Sequence, residues 1–410
     1  MSFSRIGAVA IITFGVGASL IILLCLGYMF GWNPTWQSLG VTPLPPPFFD
    51  THVVIDYADC ASKGIDPYRP HACNPANFNV PPIWLWIGVI AVGKNAAWFS
   101  CGMIAVATAT IIALFKGRPP IDGVIALIAI LSPSVLMGVE RGNPDLLIFA
   151  ITGAAALIYD EQRIGRNTCA LFLTTLAMIL KLFPMFTAAL VIRGNRRDGL
   201  YAILISALSL IYLIAIFRYI LLIRSNVPTT FILSYGYKSI FLGLDYLRTE
   251  AGLPVFGLAD TWAPILLTAL VLICATAGAL FNVHSHRVSC KVATNLAGTA
   301  FIFGSSIYCG TFLLGTNFIY RLTFLLLCLP QLQDWCRQES EMNRPIMCWL
   351  LITVLAVLWL NGDANGHTTF LIVPQLFDWL LFSELATVLI SNALDNIPFI
   401  ARLAVQPRGA

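Results

Sequence analysis

Long uninterrupted runs of apolar residues recur along the whole chain, and they constrain its fold more than any other feature. Clear examples cover residues 6–30, 96–115, 200–222 and 262–281. A run of about 20 apolar residues can cross a bilayer as a helix, and helices are required because the backbone finds no water in lipid. With 58% hydrophobic and only 11% charged residues, the chain could not cover the surface of a soluble globule. We therefore predict an all-α polytopic membrane protein.

Clusters of Lys and Arg indicate the orientation, since positively charged loops stay in the cytoplasm. Lys116 with Arg118, and Arg196 with Arg197, mark two such loops. Counting every apolar run as a span predicts a single transmembrane domain, 1–410, with about twelve spans and both termini inside. The count includes several short runs, at 146–159, 168–180, 184–192 and 346–360. The start of the last span, drawn near 368–392, is left open because Asp378 and Glu384 fall inside it.

Two longer polar segments are predicted outside the membrane. The first external loop covers 31–95, and the prolines from Pro43 to Pro47 prevent a helix from continuing through it. Within it, residues 82–93 are apolar but too short to span, so a helix on the membrane surface is expected. The second external loop covers 224–260 and carries Tyr235, Tyr237 and Lys238.

Cysteines are mostly embedded in apolar runs, where they act as small packing residues. Cys60 and Cys73 differ because both lie in the aqueous first loop. If that loop faces an oxidising compartment, the two can form a disulfide.

On this topology the charged residues that a bilayer disfavours gather at the external face. They are Asp50, Glu140, Arg141, Asp145, Lys181, Arg218, Lys238, Arg321, Asp363 and His367. Arg binds phosphate oxygens through two parallel hydrogen bonds and Lys binds them as a point charge, so cations beside a carboxylate can hold a phosphate and activate a hydroxyl. The small net charge of +4 gives no indication of a nucleic-acid partner.

A purely structural interpretation of the same residues remains open. Glu140 can pair with Arg141 or Arg321, and Lys181 can extend its amine to the membrane surface. Asn143 and Asp145 can simply cap the helix that begins behind Pro144.

Several short motifs together resemble the GT-C glycosyltransferases, which are polytopic enzymes that use polyprenyl-phosphate sugars outside the cytoplasmic membrane. The first is Phe49-Asp50 directly behind the first span, followed by Lys63-Gly64-Ile65-Asp66-Pro67-Tyr68. The runs Glu140-Arg141-Gly142-Asn143-Pro144-Asp145-Leu146-Leu147 and Lys181-Leu182-Phe183-Pro184 are similar to segments of the bacterial branch that contains mannosyltransferases. Gly315 to Arg321 and Pro330 are also similar to that branch.

The resemblance implies a membrane module with interfacial helices in the first external loop, at 51–62 and 82–93. It implies that Asp50 is the general base, although Asp56 and Asp59 leave that assignment open. Arg141, Lys181 and Arg321 would bind the phosphate, with Lys238 a further candidate. Glu140, Asn143, Asp145 and Tyr320 complete the expected substrate site. No cofactor is certain, and a divalent metal remains an option because some relatives use one.

The sequence thus predicts an inverting glycosyltransferase of the cytoplasmic membrane, with its active site facing outside. Its expected partners are a polyprenyl-phosphate sugar donor, a glycan or glycolipid acceptor of the cell envelope, and the lipid bilayer. The alternative is a transporter or flippase for an anionic lipid or lipid-linked sugar, which would place charges along a path through both halves of the membrane.

Overall fold

A computed structural model describes residues 7–90, 95–160, 162–227, 230–285, 291–338, 344–362 and 372–396. Helices form nearly all the regular structure in these ranges. The α-helices, numbered in chain order, are α1 (Ala8–Phe30), α2 (Trp32–Ser38), α3 (Phe49–Ser62), α4 (Ile83–Ile90), α5 (Ala96–Leu114), α6 (Pro120–Ile130), α7 (Pro133–Arg141), α8 (Asp145–Ile158), α9 (Ile164–Leu180), α10 (Arg196–Ala215), α11 (Phe217–Asn226), α12 (Ser239–Glu250), α13 (Ala263–Ser285), α14 (Leu296–Leu313), α15 (Leu329–Gln338), α16 (Arg344–Leu360) and α17 (Ile372–Asn396).

The remaining regular segments are short. The 3-10 helices cover Phe183–Arg193, Leu258–Asp260 and Ile319–Leu327. Two strands, β1 (Ser234–Tyr235) and β2 (Asn317–Phe318), pair antiparallel, with Ser234 opposite Phe318. The nearly all-helical structure confirms an all-α polytopic membrane protein. The small ribbon joins the segment predicted to be the second external loop to the residues that precede the Ile319–Leu327 helix.

The predicted count of twelve spans is wrong for the part of the chain that the structure describes. Six helices are long and apolar enough to cross a membrane, namely α1, α5, α10, α13, α14 and α17, and the bent pair α6 and α7 makes up to seven. The other apolar runs form helices of 10 to 17 residues. At about 1.5 Å per residue these reach at most about 25 Å, which is less than the roughly 30 Å of a hydrocarbon core. The error came from counting each apolar run as a full span.

Helix α14 forms the centre of the bundle, because nearly every residue from Ala297 to Phe312 is buried. It packs against α8, α15, α17 and both longer 3-10 helices. A helix that is apolar all round is suited to this position, since no face needs to meet water.

One end of the bundle gathers the loops predicted to be cytoplasmic. Arg118 binds Asp122 at 2.9 Å and Asp334 at 2.6 Å, which joins α6 to α15. Arg193 donates to the carbonyl oxygen of Ala293 at 2.9 Å. Loops that were predicted on one side therefore contact one another.

Asp378 and Glu384 both lie inside α17, which already begins at Ile372. The Asn361 side chain donates to Asp378 Oδ1 at 3.1 Å. Asp378 is therefore a buried polar contact between the end of α16 and α17.

The segment predicted to be the first external loop contains helices where the sequence predicts them. Helix α3 covers the predicted 51–62 segment, and α4 lies within 82–93. A disulfide joins Cys60, near the end of α3, to Cys73 in the following loop. That loop is also tied to α3 by Tyr57, which donates to the Ala76 carbonyl at 2.9 Å, and by Asn74, which donates to Asp56 at 2.7 Å.

Candidate functional site

A cavity of about 360 Å³ lies where α3, the first external loop, the α7–α8 corner and the end of α11 meet. Five of the residues singled out in the sequence line it: Asp50, Arg141, Asn143, Lys181 and Tyr320. Four more of its lining residues come from the loop after α3 and had no predicted role: His71, Asn77, Phe78 and Asn79. The cavity therefore combines a charged group with a neutral polar wall.

Asp50 is placed by the start of α3. The backbone turns at Phe48, whose φ of 62° is left-handed, and the Phe48 amide donates to the Glu140 carbonyl at 3.0 Å. This puts Asp50 in the first turn of α3, where the helix dipole favours a negative charge. Asn143 donates to Asp50 Oδ2 at 2.5 Å, which fixes one carboxylate oxygen.

The corner between α7 and α8 holds this arrangement together. Gly142 has φ of 55°, and a Cβ atom there would lie 2.2 Å from the Ser100 hydroxyl. Thr51 donates to the Gly142 carbonyl at 2.6 Å and shares a 2.8 Å hydrogen bond with Ser100. Glycine is therefore required here both by the left-handed backbone and by close packing against α3 and α5.

Arg141 is a buried cation without an ion pair. It is 7% exposed, and no carboxylate within the described ranges comes within 4.0 Å of it. Its guanidinium carbon lies 5.8 Å from the centre of the Phe318 ring. Since buried charges are normally paired, an unpaired guanidinium on a cavity wall is suited to an anionic ligand.

Lys181 and Arg321 are instead neutralised by Asp145. Asp145 is 1% exposed, accepts a short hydrogen bond from Lys181, and binds Arg321 Nε at 3.2 Å. Lys181 follows Leu180, whose carbonyl accepts a 2.8 Å hydrogen bond from the Trp84 indole, so α4 helps to position it. Lys181 still lines the cavity, whereas Arg321 does not.

The structural interpretation of these residues is therefore partly right. Asn143 Oδ1 accepts from the Asp145 amide at 2.8 Å, as a capping residue would. Arg321 also donates a short hydrogen bond to Asn317 and stacks 4.8 Å from the Phe183 ring centre. Arg321 consequently supports Asp145 and Lys181 from behind the cavity wall.

Asp145 and Arg321 do not line the cavity, and three further predicted residues also lie outside the lining. Glu140 is fully buried, and Trp32 and the Leu44 backbone are the polar groups that approach its carboxylate. Lys238 lies 3.6 Å from Asp260, which is largely exposed. Arg218 is exposed on α11. Asp363 and His367 lie outside the described residues.

Among the three candidate bases, only Asp50 reaches the cavity. Asp59 pairs with Lys63 at 2.6 Å, where both side chains are exposed. Asp56 is held by Asn74 and does not line the cavity. Burial raises the pKa of Asp50 above that of a free aspartate, although Arg141, the hydrogen bond from Asn143 and Lys181 all oppose the shift.

Burial lowers the pKa of Lys181, and Asp145 opposes that change. The raised pKa of Asp50 and the lowered pKa of Lys181 bring the two pKa values closer together. Shifted pKa values of this kind are frequent at functional sites.

The polar lining residues of the loop after α3 were missed because they carry no sequence signal of their own. His71 was interpreted as a surface histidine, and the asparagines lie in a loop without a motif. Asn226, at the end of α11, donates to the carbonyls of Tyr68 at 3.1 Å and Phe78 at 3.2 Å. These contacts, with the disulfide, bring the loop over the cavity.

No family model, curated protein or solved structure matches this chain.

Proposed function

We propose that this chain is an inverting glycosyltransferase that moves a sugar from a polyprenyl-phosphate donor to a glycan or lipid acceptor of the cell envelope. The observation that carries the proposal is one cavity in which the Asp50 carboxylate lies with Arg141, a buried cation that has no ion pair with any described residue. A base and an anion-binding group are the two functions that such a transfer needs.

The reaction follows from these groups. The acceptor hydroxyl oxygen attacks the anomeric carbon, and the bond from that carbon to the phosphate oxygen breaks with inversion. The hydroxyl proton passes to Asp50, and the electron pair leaves with the lipid phosphate. A positioned base of this kind contributes about 10²- to 10⁴-fold to the rate.

The leaving phosphate needs charge stabilisation more than it needs an acid, because it departs as a stable anion. Arg141 can offer two parallel N–H groups to its oxygens, and Lys181 adds a point charge. Asp145 and Arg321 hold Lys181 in place from behind. Fixed charges in a site shielded from water stabilise such a transition state strongly.

A resident divalent metal does not fit the donors present. Among the described residues that line the cavity, Asp50 is the one carboxylate, and Arg141 and Lys181 line the same cavity. Within the described ranges no group of three or more His, Cys, Asp or Glu side chains is placed to hold a metal. The proposed steps therefore use the protein side chains alone.

The Cys60–Cys73 disulfide supports an external active site, because disulfides persist in oxidising compartments. The loop that it closes forms part of the cavity wall. We propose the cytoplasmic membrane as the location, with the cavity on its outer side.

The test is a transfer assay with purified full-length protein and radiolabelled prenyl-phosphohexoses, mannose among them, in the presence of envelope lipids. We expect a labelled product whose new glycosidic bond has the anomeric configuration opposite to that of the donor. A retained configuration would contradict direct displacement. Movement of intact donor across vesicles without a glycosylated product would favour the transporter alternative.

A further inference from the structure

The cavity has two chemically different parts, and the proposed reaction uses only one of them. The charged part holds Asp50, Arg141 and Lys181. The second part, here called the neutral wall, consists of His71, Asn77, Asn79 and Asn226. Three of its members come from the loop after α3, in which the His71 amide donates to Asn77 Oδ1 at 3.0 Å.

The neutral wall has unused hydrogen-bonding groups of both kinds. His71 Nδ1 lies 2.8 Å from the Pro75 carbonyl, which can only accept, so Nδ1 carries the hydrogen and Nε2 of the neutral ring is an acceptor. Asn226 uses its amide hydrogens on two carbonyls, which leaves its side-chain oxygen as a second acceptor. Asn77 accepts through its oxygen, which leaves its NH₂ group as a donor.

Asn79 adds both a donor and an acceptor, because its side chain has no hydrogen-bond partner in the part of the chain that the structure describes. Asn226 is 4% exposed, so its position is fixed by burial as well as by its two hydrogen bonds. A set of both donors and acceptors, with no carboxylate or permanent cation among them, matches the hydroxyl groups of an uncharged sugar ring. The Phe78 and Phe318 side chains supply apolar lining in the same cavity.

We propose that the neutral wall is a subsite for an uncharged, hydroxylated sugar ring, and that Asn79 and His71 select among sugar stereoisomers there. This rests on the proposed function and deepens it by assigning the ring-binding groups. The ring can belong to the donor or to the acceptor, and both present the same chemistry. A site built to hydrogen-bond hydroxyls rejects an isomer that leaves its polar groups unpaired.

The experiment uses full-length protein in a polyoxyethylene detergent, which contains no sugar. Dissociation constants are measured for a prenyl phosphate and for the matching prenyl-phosphohexoses, and for methyl hexosides at saturating prenyl phosphate. The difference between prenyl phosphate and prenyl-phosphohexose affinity reports the binding of a donor ring. The methyl hexoside affinity reports the binding of an acceptor ring. The variants are Asn79→Ala and His71→Ala, with Arg69→Ala as the control, because Arg69 is exposed on the same loop outside the cavity lining.

In one of the two comparisons we expect Asn79→Ala and His71→Ala each to weaken sugar binding by about 3- to 10-fold, the equivalent of one neutral hydrogen bond. The affinity for prenyl phosphate should stay unchanged in both variants, and Arg69→Ala should behave as wild type. Wild-type protein should also discriminate between hexose isomers, and that discrimination should diminish in Asn79→Ala.

The subsite is overturned if neither variant changes sugar affinity in either comparison, or if wild-type protein binds no sugar. If the proposed function is wrong, prenyl phosphate either does not bind or binds equally well when Arg141 is replaced. In that case the methyl hexoside measurement is made without prenyl phosphate, and it still decides the subsite.

Discussion

Replacing Arg141 with Met should separate ligand binding from stability. Arg141 is 7% exposed and forms no ion pair within the described ranges, so its removal breaks no direct contact with a carboxylate, although its charge opposes the raised pKa of Asp50. Met has a similar length and can fill the space. We expect the free energy of unfolding to rise or to change by less than about 1 kcal/mol.

Binding of a prenyl phosphate should weaken strongly in the same variant. A hydrogen bond to a charged group contributes about 1.5–3 kcal/mol, which corresponds to roughly 10- to 150-fold in affinity. Arg141→Lys keeps the charge but loses the planar pair of N–H groups, so its affinity should fall between those of Arg141→Met and wild type.

Arg321→Met is the matched control, since the Arg321 side chain is also mostly buried, at 14% exposed, but bonds to Asp145 at 3.2 Å. Breaking that contact leaves a buried carboxylate with Lys181 alone, and breaking a buried pair costs up to about 3–5 kcal/mol. Thermal unfolding in detergent and equilibrium binding of prenyl phosphate measure the two effects. The reasoning is refuted if Arg141→Met is destabilised as much as Arg321→Met while its prenyl-phosphate affinity is unchanged.

Three further predictions follow from the same site. Because burial raises the pKa of Asp50, transfer should fall on the acid side at a pH above about 4, the range of a free aspartate, and pH–rate profiles should show this limb. Burial favours the neutral form of the Asp50 carboxyl, and the stability that this form contributes is lost as pH rises through the raised pKa. Asn does not ionise, so Asp50→Asn should unfold at a higher temperature than wild type at pH 8. Converting Cys60 and Cys73 to Ser removes a cross-link between positions 13 apart, which should lower the free energy of unfolding by about 3 kcal/mol and reduce prenyl-phosphohexose binding. Unchanged melting and binding would contradict the role of the loop. Gly142→Ala should lose at least about 1–2 kcal/mol from the left-handed backbone alone, and more from contact with Ser100; wild-type melting would rule out the tight corner.

The charged part of the cavity could be predicted from the sequence because charges near a bilayer are rare and expensive. Asp50, Arg141, Asn143, Lys181 and Tyr320 come from four separate stretches of the chain, yet all line one cavity. Their division into roles could not be predicted. Asp145 pairs with Lys181 and Arg321 but leaves Arg141 unpaired, which depends on side-chain distances alone.

The span count and the neutral wall show where sequence patterns stop being informative. An apolar run such as Asp145–Ile158 has the composition of a span, but its length of 14 residues does not support one. Asn79 and Asn226 are ordinary polar residues in the sequence, and only the packing of the first external loop against α11 brings them together. That packing depends on contacts between residues about 150 positions apart, which no local pattern records.

The central claim is that Asp50 removes the proton from the acceptor. Its most direct test is single-turnover transfer from a radiolabelled prenyl-phosphohexose by Asp50→Asn, compared with Asp56→Asn, whose carboxylate lies outside the cavity lining and binds Asn74. We predict that Asp50→Asn slows transfer by at least about 100-fold while the donor dissociation constant stays within about 3-fold of wild type, and that Asp56→Asn transfers normally. Transfer by Asp50→Asn at the wild-type rate would contradict the account.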